Sequence, residues 1–147
     1  MLTRRFSKGG WRAQEKEAEM DIEVLIPEGG PRLGLPFSPG IKFGDLIFVS
    51  GQVPFDEKGN IVGQGDVKRQ TEQTLRNLEA VLKAGGSMLD DVLKVTVYLK
   101  EISQFAAMND VYRQFFRGRL PARTTIQARL AFEEMLIEIE AIARVAK

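Results

Sequence analysis

The chain has 147 residues, of which 21 are Lys or Arg and 20 are Asp or Glu, so its net charge is close to zero. This length suits one domain with a substantial core. The charge balance argues against a nucleic-acid partner, because proteins that neutralise phosphates usually carry a basic surplus. The chain also contains no cysteine and no histidine, which excludes disulfides, thiolate chemistry and imidazole catalysis. Any catalysis must use carboxylates, Arg, Lys, Tyr, hydroxyls, backbone groups or water.

The N-terminal segment, residues 1–19, is polar and charged and is predicted to be a flexible extension of a single domain that spans 20–147. The segment lacks the features of a signal peptide, and no apolar run approaches the ~20 residues that a membrane span needs. We therefore expect a cytoplasmic protein with no membrane partner.

The first half of the domain contains a predicted hairpin. A loop rich in Gly and Pro, residues 27–40, precedes an apolar run at 45–53 that predicts a central strand. Residues 41–43 are its predicted partner across Gly44. A turn region follows over 54–65.

The middle of the chain alternates between helical and strand periods. Asp66 is the predicted N-cap of a helix that ends near Ala84, with its apolar side chains on one stripe. Alternation of apolar and polar residues over 92–100 then predicts a strand. Over 103–117 the apolar residues again recur at helical spacing, which predicts a second helix. Its large apolar side chains, Phe105 and Tyr112 among them, are predicted to face the core.

Two further strands are predicted near the C-terminus, at 121–125 and 137–143. The stretch between them is short enough for a hairpin. In an antiparallel pairing of this kind Arg123 would lie directly across from Glu138, with the two Cβ atoms within about 5 Å. From the residues alone this pair is either a structural ion pair or a site at which a guanidinium binds an acid and a carboxylate handles a proton.

The predicted fold class is therefore α+β. The elements follow the order β-β-α-β-α-β-β, and two helices cover one face of a mixed sheet in a two-layer domain. On the other face we expect a mixture of charged and apolar side chains, namely Arg123, Thr125, Gln127, Leu136, Glu138, Glu140 and Ile142, with apolar surface added by Val49 or its neighbours. Association into a closed homo-oligomer would cover such a face.

Four segments in this order resemble the Rid family of reactive-intermediate deaminases, also called the YjgF-like group, from about Pro36 to Val145. They are Ser50-Gly51-Gln52-Val53-Pro54, Asn109 ahead of Tyr112 and Phe115-Phe116, Pro121-Ala122-Arg123, and Ile137-Glu138-Ile139-Glu140-Ala141. The resemblance implies a chorismate-mutase-like fold, a homotrimer with active sites in clefts between subunits, and no cofactor. The implied reaction is hydrolysis of 2-imino or enamine acids, such as 2-iminobutanoate and 2-iminopropanoate, to 2-oxo acids and ammonia.

The resemblance also implies two catalytic residues. Arg123 matches the family's carboxylate-binding arginine, and Glu138 matches its water-positioning acid. Thr125 stands where many members have Cys, and its backbone N–H is a possible second donor to the substrate carboxylate.

Four other positions match the walls of the family's pocket. Asn109 matches a pocket asparagine, although it could instead cap or bridge loops. Ser50 and Gly51 match the pocket wall, although Ser50 could be hydrogen-bonded locally and Gly51 could mark a bulge or a close approach. Phe37 stands where many members have Tyr, so its ring can wall the site without a hydroxyl.

Two alternative functions remain open. One is a non-catalytic trimer that binds small carboxylic acids in the same cleft. The other is an endoribonuclease or translation inhibitor, an activity also attached to this family, against which the missing histidine and the balanced charge both argue.

Overall fold

A computed structural model describes residues 21–30 and 33–147, and the predicted extension over 1–19 lies outside them. A six-stranded mixed sheet packs against two α-helices, which confirms the predicted α+β fold. The helices are α1, Val67–Ala84, and α2, Phe105–Phe115. In the part of the chain that is described, neither has the length and apolarity that a membrane crossing requires.

The sheet has the spatial order β1-β2-β3-β6-β4-β5, in which β4 and β5 run parallel and the other neighbouring strands run antiparallel. The strands are β1 Ile22–Leu25, β2 Gly40–Phe43, β3 Leu46–Gln52, β4 Val92–Leu99, β5 Ala122–Gln127 and β6 Ile137–Arg144. The sequence pattern does not predict β1, because four residues carry too little alternation to stand out from the loop that follows.

Helix α1 begins and ends where the sequence predicts. The Asp66 side chain accepts a hydrogen bond from the Arg69 N–H at 3.1 Å, which satisfies one of the unpaired donors of the first turn. Gly85 follows the last turn. The stripe of Leu75, Leu78 and Leu82 is fully buried against the sheet.

Strands β5 and β6 do not form the predicted hairpin, because β4 lies between them. Strand β6 buries one complete row, Ile137, Ile139, Ala141 and Ala143. A row of apolar side chains is buried most completely at the centre of a sheet. Strand β5 is polar, with the sequence ARTTIQ, and suits an edge. The alternation of apolar and polar side chains within β5 and within β6 is the same whether the two strands are neighbours or have β4 between them. The sequence pattern therefore does not distinguish the predicted hairpin from the observed order.

The register places Arg123 and Glu138 on opposite faces of the sheet. Arg123 lies beside Val95, which is fully buried beneath the helices, and Glu138 lies beside Tyr98 on the open face. The prediction that Arg123, Thr125 and Gln127 share the open face is therefore wrong, whereas the prediction for Glu138, Glu140 and Ile142 is confirmed. A cross-strand ion pair between Arg123 and Glu138 within one chain is ruled out.

The open face of the sheet exposes apolar side chains that no described helix covers. The apolar surface of β3 comes from Leu46 and Phe48, while Val49 is buried on the helix side. The exposed apolar side chains on this half of the sheet are Ile22, Val24, Phe43, Leu46 and Phe48. A contiguous apolar face of this kind is typical of an interface between chains.

Gln70 in α1 ties the helix to the segment that leads into β6. Its side chain is fully buried, its Nε2 donates to the Glu134 carbonyl at 2.9 Å, and its Oε1 accepts from the Leu136 N–H at 2.7 Å. The amide thereby fixes the chain immediately before Glu138.

We predict that Gln70→Leu lowers the free energy of unfolding by about 1–3 kcal/mol, because it leaves a backbone carbonyl and a backbone N–H unpaired. The matched control is Gln114→Leu at an exposed position on α2, which should change it by at most about 0.5 kcal/mol. Urea unfolding followed by circular dichroism measures both values. Equal effects of the two substitutions would contradict the anchoring role.

Candidate functional site

The guanidinium of Arg123 lies over two aromatic rings of α2. Its central carbon is 4.6 Å from the centroid of the Tyr112 ring and 5.5 Å from that of Phe105. Both distances are within the range of cation–π attraction. No carboxylate of the described residues lies within 4.0 Å of it. The rings therefore support the cation, and no carboxylate of the described residues occupies the N–H fork, whose geometry suits a carboxylate bound through two hydrogen bonds.

Asn109 lies on the same side of α2 as these rings. Phe105, Asn109 and Tyr112 follow the spacing i, i+4, i+7, which places them on one stripe of the helix. The structure thus brings Asn109 to the side of α2 that Arg123 contacts, as a pocket residue requires. We call Arg123, Thr125, Asn109, Phe105 and Tyr112 the arginine cluster.

Thr125 presents its backbone N–H at the free edge of the sheet. The Ala128 N–H donates to the Leu99 carbonyl of β4 at 2.9 Å. Because amide groups alternate in direction along a strand, the N–H groups at odd positions of β5 point away from β4. The N–H of Thr125 is one of these, and no described strand pairs with that edge.

Buried polar atoms without partners concentrate along the seam between α2 and β5. Among the described residues four such side-chain atoms occur, and three of them belong to Gln104, Tyr112 and Thr125. Buried polar atoms in folded proteins are nearly always hydrogen-bonded. Each of these atoms is shielded from solvent, so the seam is the part of the described interior in which polar side chains are least well paired.

The ring of Tyr112 contacts the Arg123 guanidinium without carrying a charge of its own. Burial raises the pKa of its hydroxyl to about 12, although the positive charge of Arg123 opposes this shift. The residue is therefore neutral near pH 7 and supports the guanidinium through its ring. The prediction that Tyr112 faces the core is confirmed, whereas the same prediction for Phe105 is wrong, because Phe105 is 42% exposed. Their spacing around Asn109 is the signal that could have identified them.

Glu138, the second predicted catalytic residue, lies where β3 departs from regular pairing between Val49 and Gln52. A Cβ on Gly51 would collide with the Glu138 carboxylate, so glycine permits the close approach of this side chain. Both readings of Gly51, a bulge and a close approach, are confirmed.

The environment of Glu138 favours its protonated form. The side chain is half-buried, and no cation of the described residues lies within 4.0 Å of it. Burial and then the negative charge of Glu140 raise the pKa of Glu138 above its ordinary value. Glu140 itself accepts a hydrogen bond from the Tyr98 hydroxyl at 3.0 Å. A carboxylate with a raised proton affinity is suited to general acid–base chemistry.

Ser50 and Phe37 complete this region. The Ser50 hydroxyl donates to the Ser38 carbonyl at 2.6 Å, and its N–H donates to the Pro39 carbonyl at 3.0 Å, so the local reading of Ser50 is the one observed. Phe37 lies on the loop that Ser50 holds. Phe37, Gly51 and Glu138 line a cavity of about 370 Å³. We call Phe37, Ser50, Gly51 and Glu138 the glutamate cluster.

The predicted site residues thus form two clusters on opposite faces of one sheet. Within the described part of the chain, no carboxylate pairs with the guanidinium of the arginine cluster and no cation pairs with the carboxylate of the glutamate cluster. Among residues 21–30 and 33–147, no three acidic side chains gather in a way that could hold a metal ion.

Comparisons with known proteins agree on the family. The family model described as Endoribonuclease L-PSP matches residues 31–145. A RutC family protein of Pyrococcus horikoshii is 46% identical over 121 residues, which cover 82% of this chain and 96% of the relative. YyfA from Yersinia pestis, a Rid family protein of unknown function, has a TM-score of 0.80 at 33% identity, covering 85% of this chain and 100% of that chain.

A second solved structure adds a bound molecule. The E. coli protein TdcF, solved with bound serine, has a TM-score of 0.77 at 32% identity and covers 84% of this chain and 99% of its own. The matched model spans most of the sequence, and the relatives share nearly all of their length with it. On this evidence the chain belongs to the YjgF/Rid superfamily.

Proposed function

We propose that this protein hydrolyses reactive 2-imino and enamine acids to 2-oxo acids and ammonia, at sites shared between neighbouring copies of a homotrimer. The observation that carries the proposal is the pair of uncompensated charges, Arg123 on one face of the sheet and Glu138 on the other. TdcF supports it by analogy, since the serine bound to that relative carries a carboxylate beside a nitrogen-bearing carbon.

A closed ring of copies would unite the two clusters. In a head-to-tail ring each chain presents one surface to the copy before it and a different surface to the copy after it. The arginine cluster of one chain would then meet the glutamate cluster of the next. The apolar open face, with Leu46 and Phe48, would be buried by the same association.

In such a cleft Arg123 would bind the substrate carboxylate through its N–H fork, with the Thr125 N–H as a further donor. These contacts would fix the plane of the neighbouring C=N group. The Glu138 carboxylate of the adjacent copy would take a proton from a water molecule as its oxygen adds to C2, giving a tetrahedral carbinolamine. Return of that proton to nitrogen would make ammonia the leaving group. As the C–N bond breaks, the carbinolamine hydroxyl would lose its own proton, so that the C=O bond forms and the nitrogen departs as ammonium. The reaction consumes only water and needs no cofactor.

Two features make modest catalytic machinery sufficient. A protonated imine is already electrophilic, so orientation of water and transfer of one proton account for the required acceleration without a covalent nucleophile. The chain contains neither cysteine nor histidine, and the proposed chemistry uses neither.

The alternatives differ in measurable ways. A non-catalytic carboxylate-binding trimer would use the same guanidinium but would leave the rate of imine hydrolysis unchanged. Endoribonuclease activity, the description attached to the family model, finds little support in this chain, because cleavage through the 2′-hydroxyl usually relies on imidazole and the net charge is only +1.

We predict that Arg123→Ala lowers kcat/KM for imine hydrolysis by about 30-fold or more, because loss of a charge-assisted bidentate contact costs about 2–5 kcal/mol. Imines are generated in solution by an amino-acid oxidase, and formation of the 2-oxo acid is followed with and without the protein. Arg113→Ala, at a position 73% exposed on α2, is the control and should retain activity. Wild-type turnover by folded Arg123→Ala protein would reject the assigned role.

The pH profile supplies a second test. Because Glu138 must be ionised to accept a proton from water, kcat/KM should fall as the pH drops through a pKa above the ordinary value of 4.5. Glu140→Gln removes the like charge, lowers the pKa of Glu138 and should move this acid limb to lower pH.

The control is Glu133→Gln, which alters an exposed carboxylate paired with Lys100 and should leave the limb in place. The uncatalysed rate is subtracted at each pH. If the acid limb of the pH profile stays at the same pH in Glu140→Gln, or moves to higher pH, then Glu138 is not the titrating group.

A further inference from the structure

The cavity beside Glu138 is larger than the smallest imino acids require. Its volume is about 370 Å³, within the range of about 300–1,000 Å³ typical of sites for drug-sized ligands. It runs from the Glu138 carboxylate and Gly51 to the wall formed by α1, where Ala80 lines it. A three- or four-carbon acid positioned with its C2 at Glu138 would leave most of this volume unused.

The walls of the cavity are mainly apolar. Phe55 and Phe132 meet edge to face, with their ring centroids 6.2 Å apart. Leu35, Phe37 and Met135 add further apolar surface. Phe37 extends this surface because it lacks the hydroxyl that tyrosine would bring. Apolar walls of this composition favour an aliphatic or aromatic group over a polar one.

The polar side chains on the α1 wall are already engaged. The Asn77 Nδ2 donates to the carbonyls of Val53 and Phe55, both at 2.9 Å. The Gln73 Nε2 donates to the Asn77 Oδ1 at 2.9 Å. These contacts hold the loop after β3 as part of the wall. Elsewhere on the cavity wall lie three acids, Glu28, Asp56 and Glu57, which would repel an acidic substrate side chain.

We propose that this cavity receives the substrate's side chain and that the preferred substrates are 2-imino acids with large apolar side chains, of the branched aliphatic or aromatic class. The inference rests on the proposed deaminase function and deepens it. The substrate's C2 lies at Glu138, its carboxylate at the neighbouring copy's arginine cluster, and its side chain between the Phe55–Phe132 pair and α1. The one- and two-carbon side chains of the smallest imines, 2-iminopropanoate and 2-iminobutanoate, would contact only the mouth of the cavity.

The test compares imines made from leucine, phenylalanine and alanine by an amino-acid oxidase. Each methylene buried in an apolar pocket adds roughly 10-fold or more to discrimination. We therefore expect kcat/KM for the leucine- and phenylalanine-derived imines to exceed that for the alanine-derived imine by at least about 10-fold. An alanine-derived imine that is processed equally well or better would overturn the assignment.

A variant that fills the cavity tests whether the preference for large apolar side chains arises there. Ala80→Phe places a ring in the cavity from α1 without altering Glu138 or Gly51. It should lower kcat/KM for the leucine- and phenylalanine-derived imines by at least about 10-fold and leave the alanine-derived imine within about 2-fold. The matched control is Ala84→Phe, the same change one helical turn further on, at an exposed position that does not line the cavity. Equal slowing of all three imines by Ala80→Phe would contradict the proposal.

Calorimetry with 2-oxo acids separates this inference from the deaminase function. We expect 4-methyl-2-oxopentanoate to bind more tightly than pyruvate, and this preference to disappear in Ala80→Phe. If no imine is hydrolysed but the preference is present, the deaminase function fails and the cavity assignment stands. If imines are hydrolysed but pyruvate binds as well as the larger acid, the cavity assignment fails and the deaminase function stands. Absence of both rejects both.

Discussion

The position of β6 at the centre of the sheet is the constraint on which the candidate site depends. Its fully apolar row, from Ile137 to Ala143, is buried between β3 and β4, and β5 is thereby displaced to the edge. As a result Arg123 faces the helices and Glu138 faces the open side. Two charges that could have neutralised each other are held apart, and each lacks a partner within the described chain. Any site that uses both must be completed by another copy.

This separation accounts for the environment of each group. The Arg123 guanidinium is stabilised by the Phe105 and Tyr112 rings, an interaction that leaves its hydrogen-bonding fork free. Glu138 is held over Gly51 in a half-buried position, where burial and Glu140 raise its pKa. A half-buried carboxylate with a raised pKa and no paired cation is typical of functional sites.

Much of the fold follows from local signals in the sequence. Asp66 and Gly85 mark the two ends of α1, and alternation marks β4 and β6, because capping and burial act within a few residues of the chain. Strand neighbours depend instead on interactions distant in sequence. The alternation of β5 and β6 is compatible with either a hairpin or an intervening strand, so the direct contact predicted between Arg123 and Glu138 did not follow. The platform beneath Arg123 was missed for a related reason, since an aromatic stripe on a helix looks the same whether it contacts a core or a cation.

The sharing of one site between two copies is tested most directly by mixing two defective variants. Arg123→Ala and Glu138→Gln should each be inactive alone. When they are co-expressed with different tags and assemble at random, half of the arginine clusters and half of the glutamate clusters are intact, so about one quarter of the sites should contain both. The account predicts about a quarter of wild-type activity in the unfractionated mixture and about a third in oligomers purified through both tags, because each mixed trimer has one intact site in three. A mixed oligomer that stays inactive, or full activity in a wild-type protein shown to be monomeric, would contradict it.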